Sequence, residues 1–159
     1  MKQLTARPLT ASAFAPYGAV LEIPSVAGKA VLPPALGNLR AHAQPDLLVS
    51  CIEQVRTLPL QVTFMERHEF SSQTFLPLDA TCRYLVIVAP PDARGGPDAE
   101  RAEAFIVQGS QSITYHPNTW HYSLTLLQGP ARFAVWMWKA HDAGDEEFVD
   151  IPAFEVVGP

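Results

Sequence analysis

Beyond Asp46 the apolar residues fall into short, closely spaced runs: LLVSCIEQV, LPLQVTFMERH, QTFLPL, RYLVIVA, AFIVQ, SITYH, HYSLTLL and ARFAVWMWK. They are rich in β-branched and aromatic side chains. Turn formers such as Ser71, Ser72, Asp79, Gly109, Gly129 and Pro130 stand between several of them, so they read as about eight strands joined largely by hairpins. Short antiparallel strands with no helices alternating between them predict a closed barrel or a two-sheet jelly roll, which limits exposed sheet edges.

The beginning of the chain follows a different pattern. Thr10 is placed to cap a short helix carrying Ala11, Phe14 and Ala15, and Gly18 then releases the chain into a strand over Val20 to Ile23. From Pro24 to Pro45 the sequence is rich in Pro, Gly and Ala and has neither a helical nor a strand period, which predicts a long loop able to cover a site. The stretch APPDARGGPDAERAE, residues 89–103, combines Pro, Gly and charge and reads as a surface connection.

A length of 159 residues leaves room for a single domain, residues 1–159, and so for one site. The 15 prolines argue against a helical bundle. A formal net charge of −5, with the 11 Lys and Arg residues dispersed, provides no basic face and sets nucleic-acid binding aside; a small-molecule substrate is the expected partner. No run approaches the ~18 apolar residues of a membrane span. The N-terminal MKQLTARPLTASAFAPYG lacks the apolar core of a signal peptide, so the expectation is a cytoplasmic protein without a membrane anchor. Cys51 and Cys82 lie in apolar runs and read as buried thiols rather than ligands or a disulfide.

Candidate chemistry gathers at two places. Strand alternation in VTFMERHEF puts Phe64, Glu66, His68 and Phe70 on one face, so a carboxylate and an imidazole can converge as metal ligands or as an acid/base pair; a solvated outer face would carry the same letters without function. In TYHPNTWHYSL, His116 and His121 flank a turn at Pro117 and Asn118. Trp120, Trp136 and Trp138 read as barrel core, and His42 and His141 as loop residues without a role.

The spacing of these residues resembles the two cupin motifs, with Glu66 and His68 at the paired positions, Gln73 near the place of the motif's Glu and His121 at the later His. A neutral amide at Gln73 departs from that pattern and is a poorer ligand. More narrowly, PLTASAFAPYGAVLE, ERHEFSSQTFLPL and AFIVQGSQSITYHPNTWHYSL resemble the corresponding stretches of the ureidoglycolate lyase family. The resemblance implies an all-β, cupin-type jelly-roll β-barrel with a short N-terminal helix, acting as a homodimer. The implied activity is that of a carbon–nitrogen lyase of the amidine-lyase type, which cleaves ureidoglycolate to glyoxylate and urea in allantoin and purine breakdown.

It also implies a divalent metal, nickel by resemblance, for which Glu66, His68, Gln73 and His121 are the expected ligands. The ion would chelate the substrate's carboxylate and hydroxyl, and His116 is then the expected proton-transfer residue; without a metal, Glu66 and the histidines supply acid and base while Arg40 or Lys139 holds the carboxylate. Two segments depart from the family pattern. An Asn-x-Gly segment with a following Arg is replaced by ALGNLRAHAQPDL, and an Asp-Arg-Gly after the last strand by WMWKAHDAGDEE. These departures keep open a cupin that acts on or senses another small hydroxy- or amino-acid, and more distantly a metal-dependent oxidase or isomerase.

Overall fold

A computed structural model describes all residues, 1–159. Strands β1 (Lys2–Thr5) and β2 (Arg7–Pro8) lead into helix α1 (Ala11–Phe14), and β3 (Gly18–Glu22) follows. After a long loop the strands come in close succession: β4 (Gln44–Ile52), β5 (Leu60–Arg67), β6 (Gln73–Pro77), β7 (Arg83–Ala89), β8 (Glu103–Gln108), β9 (Gln111–Tyr115), β10 (Trp120–His121), β11 (Thr125–Gln128), β12 (Ala131–Lys139) and β13 (Glu147–Val157).

They form two sheets. One runs β1-β13-β5-β10-β7-β8-β2, with β11 also on β7, and the other runs β3-β9-β6-β12-β4. The pairings are antiparallel except where β1 joins β13 and β2 joins β8. Side chains from both sheets meet in one core: Tyr84, Val86 and Val88 of β7 and Phe105 and Val107 of β8 pack with Ile113 and Tyr115 of β9 and Phe133 and Val135 of β12. The opposite face of β7 carries Leu85, Ile87 and Ala89 into a second core with Ala6, Trp120, Phe154 and Val156. With both faces covered, β7 reads as an unbroken apolar run rather than an alternating one. This is the expected all-β, cupin-type jelly-roll barrel with its short helix.

The local signals at the N-terminus are realised. Thr10 Oγ1 accepts a hydrogen bond from the amide of Ala13, and Phe14 is carried into the core. A Cβ on Gly18 would stand 1.8 Å from the carbonyl oxygen of Thr114, so only glycine lets β3 lie this close to β9. The loop after β3 stays largely irregular, but its far end is tied down: Asn38 bridges Ser71, and the amide of Gly37 donates to Ser72 Oγ.

Four expectations need correction. HYSLTLL forms two strands, because the chain leaves the ladder between His121 and Thr125. FVDIPAFEVV, read as no strand, lies in the longest one, β13; Pro152 falls where the pairing with β5 shifts register between Asp150 and Phe154, a bulge that tolerates a residue without an amide proton and breaks the alternation. Cys51 is exposed, because β4 is an edge strand with little above it, whereas Cys82 is buried as expected. Trp120 is core, but Trp136 and Trp138 alternate with the inward Val135 and Met137 and lie half-buried on the outer face of the five-stranded sheet.

Candidate active site

Glu66 on β5 faces the barrel interior, and His68, one residue past the strand's end, is buried beside it. His121 on β10 pairs directly opposite Glu66 on one side and Val88 on the other, and so faces the same way. Gln73 opens β6 between Tyr115 and Met137. Three of the side chains therefore come from strands of the two sheets, and His68 from the residue that follows β5. The rings of His68 and His121 are 5.4 Å apart, Tyr115 stacks on His121 at 4.1 Å, and Glu66 Oε1 lies 3.5 Å from His121 Nε2.

Backbone carbonyls fix both tautomers. His68 Nδ1 lies 2.8 Å from the carbonyl oxygen of Asp145, and His121 Nδ1 lies 2.9 Å from that of Thr119. A carbonyl can only accept, so each Nδ1 carries the proton and each Nε2 offers a lone pair. Both Nε2 atoms are buried without a partner, and so is Gln73 Oε1. Leaving a buried polar atom unpaired costs about 1–3 kcal/mol, so three acceptors orphaned together point to a ligand. Glu66 Oε1 accepts from Ser123 Oγ at 3.2 Å.

Burial also sets the ionisation of these groups. It holds His121 down at about 3, with help from neighbouring His68, and it lowers His68 against the opposing pull of the Asp145 carbonyl. It raises the carboxyl of Glu66 and the phenol of Tyr115, the latter pushed further by Glu66. The site is a set of neutral imidazoles and a protonated tyrosine beside a carboxylate readier than usual to hold a proton.

His68 and Gln73 line a cavity of about 320 Å³ whose walls include Leu48, Val135, Met137 and Lys139. Lys139 Nζ is 3.4 Å from Asp46 and reaches the cavity wall. Two other expected residues stand elsewhere. Arg40 hydrogen-bonds to Asp142 and Asp145 and lies over the ring of Phe70. His116 borders a separate cleft with Pro16, Tyr17 and Trp120, because the turn that follows β9 carries it away from the strand face holding Tyr115.

Sequence reading passed over Tyr115, Asp145 and Glu146 and set His141 aside as a loop residue without a role, whereas His141, Asp145 and Glu146 all line the cavity. For His141 the clue is conformational and not visible in the letters: its φ is 58°, unusual for a residue with a side chain. Asp145 reaches His68 through its backbone carbonyl, for which no side-chain pattern exists.

The donors that converge are two imidazoles and an amide oxygen, with a carboxylate beside one imidazole, a set suited to a borderline divalent ion. They form a leaner set than a cluster of three or more His, Cys, Asp or Glu, which this fold assembles nowhere.

The chain matches the ureidoglycolate lyase family over residues 1–155. A ureidoglycolate lyase of Burkholderia mallei is 40% identical over 147 residues, covering 85% of this chain and 82% of its own. One of Mesorhizobium japonicum is 35% identical over 164 residues, covering 98% of both. A dTDP sugar isomerase of Desulfovibrio desulfuricans overlaps the fold at a TM-score of 0.44 with 16% identity, over 85% of this chain and 82% of its own, a likeness too distant to argue from. The match across almost the whole sequence, at 35–40% identity to these relatives, places the chain in the ureidoglycolate lyase family.

Proposed function

We propose that this protein is a ureidoglycolate lyase that cleaves ureidoglycolate to glyoxylate and urea, with the reaction centred on Glu66, His68, Gln73 and His121 at the cavity that His68 and Gln73 line. The observation that carries this reading is the convergence of three buried, unpartnered acceptor atoms next to a carboxylate whose proton affinity burial has raised.

The reaction is an elimination. The C2 hydroxyl loses its proton, its oxygen closes to a carbonyl as the C2–N bond breaks, and the departing urea nitrogen takes a proton. Glu66 is the proton carrier in this scheme, because a carboxyl group titrating closer to neutrality both accepts from the hydroxyl and returns to nitrogen more readily than an ordinary one. Ser123 and the inward face of β5 hold it in place. Lys139, on the cavity wall, pairs with the substrate's carboxylate. His116, in its separate cleft, has no part in the scheme.

The residues fit a divalent metal. His68 Nε2, His121 Nε2 and Gln73 Oε1 would hold it, with Glu66 adjacent, and when bound it supplies Lewis acidity that lowers the pKa of the substrate hydroxyl. The apolar outer face bearing Leu47, Val49, Trp136 and Trp138 is the surface across which two copies would pair as a homodimer. No helix is long and apolar enough to cross a membrane, and a cytoplasmic amidine-lyase is the accompanying assignment.

Release of urea and glyoxylate from racemic ureidoglycolate, by metal-stripped protein and by protein reloaded with nickel, manganese or zinc, tests this reading. Release restored by one of the ions supports the activity and the ligand set together. Equal release with and without metal supports the activity and removes the metal. No release under any loading rejects the proposed activity.

A further inference from the structure

We infer that Arg40 is a positioning residue that acts through Asp145 to fix the tautomer and direction of His68. The chain of contacts is continuous. The Arg40 guanidinium donates to Asp145 Oδ1 at 2.5 Å and to Asp142 Oδ1 at 2.8 Å, and it lies 5.2 Å from the ring centre of Phe70. Its side chain is only 10% exposed. The Asp145 carboxylate also accepts from the amides of Ala140 and His141, each at 2.8 Å, so one side chain organises the whole turn between β12 and β13. The carbonyl oxygen of that same residue receives Nδ1–H of His68 at 2.8 Å.

Arg40 is anchored as firmly on its own side. Its amide donates to Asn38 Oδ1, its carbonyl accepts from the amide of Ala43, and the amide of Leu39 donates to the carbonyl of Phe70. The guanidinium thus clamps the end of the long loop to the turn that carries the His68 carbonyl partner. With both terminal nitrogens on carboxylates, its fork is committed to the protein rather than to a substrate.

The consequence is chemical as well as mechanical. A carbonyl held at Nδ1 keeps the Nε2 lone pair of His68 turned into the cavity; a shifted turn would free the ring to take the other tautomer and present N–H there instead. His121 has a separate anchor, the Thr119 carbonyl, and so acts as an internal reference.

The role of His68 rests on the activity proposed above, but the relay is testable without substrate or metal. Histidine side-chain ¹⁵N–¹H correlation spectra of metal-stripped protein should show His68 and His121 each as a single Nδ1–H tautomer. In Arg40→Met, and in Arg40→Lys, which keeps the charge but loses the fork, His68 should become a tautomer mixture while His121 keeps its single Nδ1–H tautomer. Asp145→Asn should behave in the same way.

kcat/KM for ureidoglycolate, and the affinity for nickel alone, should each fall about 10- to 100-fold in these variants. The relay is overturned if His68 keeps one tautomer in Arg40→Lys, or if His121 also becomes a tautomer mixture. If Arg40→Met does not fold, Arg40→Lys decides. Spectra that behave as stated, in a protein that never releases urea, would reject the activity and leave the relay standing.

Discussion

Acidification should destabilise this protein through His121 by an amount the structure sets. In the unfolded chain its imidazole titrates near the ordinary value of about 6.5, whereas in the folded state burial and His68 hold it at about 3. The folded group binds its proton less tightly, so between those two values the unfolded state carries more protons and stability falls as pH falls. The contribution is fully present above about pH 6.5 and is lost progressively toward pH 3. At pH 5, about 1.5 units below the unfolded value and still above the folded one, this costs about 2 kcal/mol relative to pH 7 at about 1.36 kcal/mol per unit.

The contrast is with His121→Asn, whose amide still donates to the Thr119 carbonyl but cannot take up the proton. Urea unfolding of metal-stripped wild type and variant at pH 7 and pH 5 isolates the residue, because His68 and the carboxylates titrate in both. Wild type should lose about 2 kcal/mol more than the variant across that interval. An equal loss in both proteins would show that His121 is not held neutral, and the account of its unpartnered Nε2 would fall with it.

Four further outcomes follow from the same coordinates. Glu66→Gln keeps an acceptor for Ser123 but cannot carry a proton, so kcat for urea release should drop about 10²- to 10⁴-fold with the melting temperature nearly unchanged; activity within a factor of a few would remove Glu66 from the chemistry. Gly18→Ala would place a methyl 1.8 Å from the Thr114 carbonyl oxygen and should cost about 3 kcal/mol or more, seen as a lowered thermal midpoint. Phe14→Ala empties a fully buried site between Phe105 and Tyr115 and should cost about 3–5 kcal/mol by the same measurement. Leu47→Asp combined with Trp138→Glu, charges on the outer sheet face proposed as the pairing surface, should sediment as a monomer where wild type sediments as a dimer, with turnover per chain kept; a monomeric wild type or an unchanged variant refutes pairing through this face.

The fold was largely legible. Period-two alternation and turn residues marked most strands, and the capping side chain of Thr10 marked the helix, because each depends on neighbours a few positions away. Strand β13 escaped for a local reason as well: Pro152 and its bulge erase the alternation by which strands are recognised.

That Glu66, His68, Gln73 and His121 come together was legible because they sit in recognisable motifs on or beside strands whose inward face can be counted. Their shared environment was not. That His121 stacks on Tyr115, that His68 takes its tautomer from a carbonyl 77 positions away, and that the Arg40 fork is spent on Asp142 and Asp145 all depend on how strands distant in sequence are laid side by side. The same holds for the placement of His116 and for the rim formed by His141, Asp145 and Glu146, where a turn after a strand decides what reaches the cavity. By itself the sequence determined most of the strands between Asp46 and Lys139, the helix cap and the inward direction of Glu66, since backbone sterics and burial act over short separations. Only the tertiary structure decided which acceptors are left unpaired together, because that depends on every neighbour the completed barrel brings within hydrogen-bonding reach.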